Sequence, residues 1–143
     1  MVKKFVKTIN PIEQKLIDNF WPGSLTIVFD KSDIVPNILT SNLNTVGIRM
    51  PDNKICLEIL ENFGSPLAMS SANISDELPD SNLDSILKDF NNKVSFIINN
   101  RDNIENIPST IVRVEDNKIK ILRKGIISID DIKKCFGGNI DVR

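Results

Sequence analysis

Two spacings of apolar residues run along the chain, and they divide it into helices and strands. Leu16, Ile17 and Phe20 recur at helical spacing behind Asn10-Pro11-Ile12-Glu13. Asn10 suits an N-cap, Pro11 the first helical position, and Glu13 the third position of a capping box. Trp21-Pro22-Gly23 ends that helix, because proline disfavours helix at the residue before it and glycine permits a sharp turn. Ser24 to Phe29 then alternates with β-branched residues and predicts a strand, with Trp21 a core residue at the corner. Residues 30–44 are polar and predict a loop with one helical turn near Pro36. Thr45-Val46-Gly47-Ile48-Arg49 is a second strand, closed by Met50-Pro51-Asp52. Lys54 to Phe63 predicts a helix stopped at Gly64, more apolar than a surface helix needs. Pro66 to Met69 is a short apolar run with turn residues on both flanks and predicts a buried strand. Residues 45–69 would thus be a strand–helix–strand unit of an α/β domain.

The second half follows the same logic. Ser81 to Phe90 carries Leu83, Ile86, Leu87 and Phe90 on one helical face, and Val94 to Ile98 predicts a strand. Residues 108–114 and 118–122 predict a hairpin across Glu115-Asp116-Asn117. Ser128 can cap a last helix through Ile129, Ile132 and Phe136, stopped by Gly137-Gly138.

Polar residues cluster where these elements end. The run Pro66–Met69 stops at Ser70-Ser71-Ala72-Asn73-Ile74-Ser75, rich in hydroxyls and small side chains. Ligands in open α/β sheets bind beyond the carboxyl ends of strands, so this is a candidate binding edge; a simple turn is the alternative. Arg49 ends its strand in the same way and suits bidentate contact with a carboxylate or phosphate, or a structural ion pair. Ser109 and Thr110 open the hairpin; Arg123, Lys124 and Gly125 close it.

Composition narrows the chemistry. The chain has 143 residues, 41% hydrophobic and 26% charged, with a net charge of −1, so nothing global argues for nucleic acid. No apolar run approaches membrane-spanning length and no signal peptide is evident, which predicts a cytoplasmic protein. Cys56 and Cys135 have no partner motif and are expected as buried thiols. There is no histidine, which excludes Ser-His and Cys-His catalysis and His-containing zinc sites. Any catalysis must use positioning, charge stabilisation, carboxylates, Lys/Arg, or a metal held partly by substrate phosphates.

Five motifs occur together: Trp-Pro-Gly-Ser-Leu-Thr at 21–26, Thr-Val-Gly-Ile-Arg-Met-Pro at 45–51, Ser-Ser-Ala-Asn-Ile-Ser at 70–75, Ser-Thr-Ile-Val at 109–112 and Ile-Leu-Arg-Lys-Gly at 121–125. In this order they resemble the YrdC/TsaC family, the threonylcarbamoyl-AMP synthases. The resemblance implies an α/β fold of mixed character, a twisted mixed sheet with flanking helices around a concave cavity. It implies synthesis of threonylcarbamoyl-AMP and pyrophosphate from L-threonine, bicarbonate and ATP, with a downstream transferase acting on tRNA. Residue by residue, it places Ser71 and Asn73 at the nucleotide as the catalytic pair. Thr45 and Arg123 join them in contacting ATP, and Arg49, Met69 and Ser109 fall on the threonine side. Mg²⁺ would ride on the ATP phosphates. Upstream family elements, a Pro-Thr segment and a Lys-x-Arg motif, have no counterpart among Met1 to Asn10. Asp76 and Asn99-Asn100 stand where the family usually has glycine and Asp-Gly. Residues 1–143 are therefore expected to be one domain, the C-terminal portion of the family's. The implied consequences are a partner supplying an N-terminal segment, or self-association. The alternative is a non-catalytic module that binds ATP or RNA, or one half of a split enzyme.

Overall fold

A computed structural model describes residues 1–72, 83–98 and 107–143. The chain divides into two compact units, residues 1–67 with 107–143, and residues 68–106.

The larger unit holds the sheet. Its elements are α1 (Pro11–Phe20), β1 (Leu25–Asp30), β2 (Thr45–Ile48), α2 (Lys54–Phe63), β3 (Thr110–Glu115), β4 (Lys118–Arg123) and α4 (Ile129–Cys135). α3 (Leu83–Phe90) belongs to the smaller unit. The strand order is β2-β1-β3-β4. β1 runs antiparallel to β2 and parallel to β3, and β3 runs antiparallel to β4. The starts of β1 and β3 and the ends of β2 and β4 therefore share one edge of the sheet.

α1 begins as the sequence predicts. The Asn10 side-chain oxygen accepts from the backbone N–H groups of Ile12 and Glu13, both at 2.9 Å, and Glu13 Oε2 accepts from Asn10 N–H at 2.8 Å. Two otherwise orphaned donors are thereby satisfied, together with the cap residue's own N–H. α4 repeats the device with Ser128 and Asp131. The hairpin turns on Asp116 and Asn117, both at positive φ (49° and 58°), the conformation a two-residue turn between twisted strands needs.

The core lies on one face of the sheet. Leu25, Ile27 and Phe29 point inward from alternate positions of β1 and join Val112, Ile119, Val6, Leu16 of α1 and Ile132 of α4. Each such side chain contributes roughly 1.5–3 kcal/mol by leaving water. Trp21 packs at the margin, edge-on to Phe29 with ring centroids 6.3 Å apart, and its Nε1–H donates to Leu25 O at 2.7 Å. The outer edge of β4 is covered by the last residues: Ile119 N–H donates to Asp141 O and Arg143 N–H to Ile119 O.

Three expectations fail. Pro66–Met69 is not a strand, and Leu67 and Met69 are exposed; residues 45–69 give β2 and α2 with no second strand, and the parallel pair is instead β1 with β3. Val94–Ile98 is likewise not a strand, and Phe96 is 87% exposed. Both stretches have strand-like composition, but neither finds a ladder partner among the described strands, and an unpaired backbone gains nothing from extension. The cysteines are free and only half-buried, not buried, and burial pushes the Cys135 thiol above its ordinary range. α2 has its predicted bounds and an N-cap at Asn53, yet none of its residues is fully buried. The predicted start of α3 at Ser81, and the loops 76–80 and 99–106, lie outside the described residues.

Candidate anion-binding site at the shared strand edge

Arg49 follows β2 directly, and its backbone neighbours tie it to the helix–strand corner. Gly23 N–H donates to Met50 O at 2.8 Å. Arg49 Nε donates back to Gly23 O at 2.8 Å, and its Nη2 lies 3.4 Å from Ser24 Oγ. Arg123, the last residue of β4, is held the same way across the sheet. Its Nε and Nη2 donate to Ser109 O at 3.1 and 2.8 Å, and Nη2 also donates to Ser109 Oγ at 2.9 Å. Ser109 Oγ in turn lies 3.0 Å from Thr26 Oγ1, bridging residues 83 apart in sequence. Ser24 O accepts from Thr110 N–H at 3.0 Å, closing the set.

The edge is held by one further crossing. Thr110 Oγ1 donates to Ile127 O at 2.7 Å and accepts from Ile127 N–H at 3.0 Å. This clasp brings the segment after β4 over the start of β3, and Gly125 sits at the crossing. A Cβ there would stand 2.2 Å from Pro108 O and 2.5 Å from Thr110 N, so only glycine fits.

The electrostatics separate these cations from Arg113. Arg113 pairs with Asp30 at 3.3 Å and Glu115 at 2.9 Å. Among the described residues Arg49 and Arg123 pair with no carboxylate; carbonyl and hydroxyl oxygens orient them. Their charge is available to a ligand, and a guanidinium with free donors suits carboxylate or phosphate oxygens. No cluster of metal-ligating side chains occurs among the described residues. The donor set fits an anion, and a metal only as one carried by the anion's own phosphates.

The structure thus brings together Arg49, Ser109 and Arg123 of the residues singled out by sequence. Thr45 occupies the other end of β2, opposite Asp30, about 13 Å along the strand from Arg49 at ~3.3 Å per residue. Met69 and Ser71 are exposed and outside any regular element. Asn73 lies outside the described residues. Sequence reasoning assigned no role to Thr26, Ser24 or the Gly23 carbonyl. For Thr26 a signal existed: it is a polar residue alternating with Leu25 and Ile27, which places it on the face opposite the core.

Known proteins share this fold. Threonylcarbamoyl-AMP synthase of Pyrococcus abyssi is 34% identical over 92% of this chain and 38% of that protein. The Bacillus subtilis threonylcarbamoyl-AMP synthase is 30% identical over 85% of this chain and 36% of its own length. The chain therefore spans less than half the length of these two relatives. A crystal structure of P. abyssi Sua5 complexed with L-threonine superposes with a TM-score of 0.88 at 32% identity, covering 99% of this chain and 42% of that one. Escherichia coli YciO shares the fold, with a TM-score of 0.77 at 23% identity over 92% of this chain and 64% of its own. The Sua5/YciO/YrdC family, described as telomere recombination, matches residues 1–125, and the chain belongs to it.

Proposed function

We propose that this chain takes part in forming threonylcarbamoyl-AMP from L-threonine, bicarbonate and ATP, the product serving threonylcarbamoyl modification of tRNA. The observation that carries the reading is the pair of arginines at one sheet edge, each oriented by a backbone carbonyl and neither paired with a carboxylate. The relatives' names, and the L-threonine in the Sua5 crystal structure, supply the substrate class.

In this reading Arg49 and Ser109 take the amino-acid carboxylate, and Arg123 serves the nucleotide. The threonine amine adds to bicarbonate with loss of water. The carbamate oxygen then attacks the α-phosphorus, and the bond to pyrophosphate breaks. These steps need aligned reactants and compensated phosphate charge, which a chain without histidine can provide. Magnesium carried by the ATP phosphates would supply further charge compensation there, with no metal-ligating cluster of the chain's own among the described residues.

The test is pyrophosphate release from ATP–Mg²⁺ and bicarbonate, with and without L-threonine. Release that depends on threonine supports the proposal. Release by the chain that is indifferent to threonine, or none from a folded sample that binds both substrates, overturns it.

A further inference from the structure

The two outer strands of the sheet are finished differently. β4 carries Lys118 and Lys120 and is covered by the last residues of the chain, with Ile119 bridged to Val142. Lysines and covering segments are common means of keeping an edge from pairing with another molecule. β2, at the other edge, has no lysine, and among the described residues no segment covers it. Lys31 N–H donates to Asn44 O at 3.0 Å, so by the alternation of an antiparallel ladder Val46 and Ile48 are the residues that bond to β1. Thr45 and Gly47 turn their N–H and C=O groups outward, and among the described residues nothing bonds to them.

The sequence leading into this edge is apolar and uncharged. Residues 34–48 contain no Asp, Glu, Lys or Arg, the longest such run in a chain that is 26% charged. Within it Ile34, Ile38, Leu39 and Leu43 are more than half exposed. The loop that carries them is tied down. Leu43 N–H donates to Thr40 O at 2.9 Å, and Thr40 Oγ1 donates to Leu43 O at 2.8 Å. The buried Lys31 donates through Nζ to Val35 O and Asn37 Oδ1. Apolar side chains on an ordered loop, running into an unpaired strand, gain by being covered.

Charge selects the occupant. In a contact between identical copies across a two-fold axis, residues near the axis meet themselves or their close neighbours, so a charge there meets its like. A run without charges escapes that cost; the β4 edge, with Lys118 and Lys120, would not. We propose that β2 is a dimerisation edge, at which two copies of this chain pair antiparallel about a two-fold axis at Val46. Thr45 of each copy then exchanges both backbone hydrogen bonds with Gly47 of the other, and the two sheets become one.

The experiment is sedimentation equilibrium of the full chain, with amide hydrogen exchange read at Thr45 and Gly47. Wild type is expected to form a dimer, with protection of those two amides rising with concentration. Thr45→Pro removes an outward N–H that the β1 ladder does not use, and Leu43→Lys sets like charges on either side of the axis. Each is expected to weaken dimerisation about tenfold or more, while Lys120→Ser, on the other edge, leaves it within about twofold. Circular dichroism checks the fold; should Thr45→Pro unfold, Leu43→Lys decides alone, because its side chain is exposed. A wild type that stays monomeric up to about 1 mM overturns the proposal. So does a dimer that Leu43→Lys leaves unchanged, and so does a monomer whose Thr45 and Gly47 amides become protected only when a different polypeptide is added.

Discussion

β1 and the stretch Val94–Ile98 are similar on paper and different in the molecule. Both are short, rich in apolar residues and bounded by polar ones. β1 is flanked by β2 and β3, and Leu25, Ile27 and Phe29 are almost completely buried. Val94, Phe96 and Ile98 are exposed and form no strand. Apolar pattern is therefore only a permission. A strand exists where a neighbour completes its ladder, and a central one is buried where helices cover its face.

Substitution should break this comparison most sharply in the core. Ile27→Ala removes a fully buried side chain and is expected to cost about 3–4 kcal/mol in urea unfolding, whereas Phe96→Ala should change stability by no more than about 0.5 kcal/mol. Comparable losses at the two positions would show that residues 94–98 are packed in solution.

The next effect concerns glycine. Gly125→Ala forces a methyl group into the Pro108–Thr110 backbone and should cost about 3 kcal/mol, with threonine affinity falling as the Ser109–Arg123 edge shifts. Gly64→Ala, at a φ of +70° with nothing within 4 Å, should cost only about 1 kcal/mol. Equal costs would mean that the Pro108–Thr110 backbone gives way to a methyl group at position 125.

A smaller effect separates the clasp from the core. Thr110→Val leaves the Ile127 N–H and C=O without their partner and should cost about 1–2 kcal/mol, seen as faster amide exchange at Ile127. Unchanged exchange there would show that the Thr110 hydroxyl does not hold the crossing.

The smallest effects come from the two capping boxes, which differ in sign. Burial is the main cause raising the Glu13 carboxyl above its ordinary value of 4.5. Its contribution to stability is complete below that value and is lost as pH rises through the folded-state value. Hydrogen bonds from Ser128 are the main cause lowering the Asp131 carboxyl below 3.8, so its contribution is present above 3.8 and is lost as pH falls through the folded-state value. Glu13→Gln should therefore flatten the decline of stability on the rising side, and Asp131→Asn the decline on the acid side. Stability curves measured against pH that move in the same direction for both variants would contradict this.

What could be read from sequence depended on how local its physics is. The Asn10–Glu13 box, the Asp116-Asn117 turn and the Trp21-Pro22-Gly23 corner are decided within a few residues, and the structure reproduces them. The strands at 66–69 and 94–98 depended on partners elsewhere, which pattern cannot supply. The site divides in the same way. Arg49, Ser109 and Arg123 stand out as polar residues where strands begin or end. Their shared edge became visible only from the strand order, which sets two strand starts beside two strand ends. The carbonyls of Gly23 and Ser109 carry no mark in sequence, because their importance comes from what lies across the sheet, and the alternation at Thr26 tells only which face it occupies.

The central claim is that this sheet edge receives an amino-acid carboxylate. The most direct measurement is calorimetric titration of L-threonine into wild type and into Arg49→Met, which keeps an unbranched apolar stem and removes the charge. The account predicts binding by wild type and at least about a tenfold loss in the variant, with the fold unchanged. Equal affinity in the two proteins would contradict it.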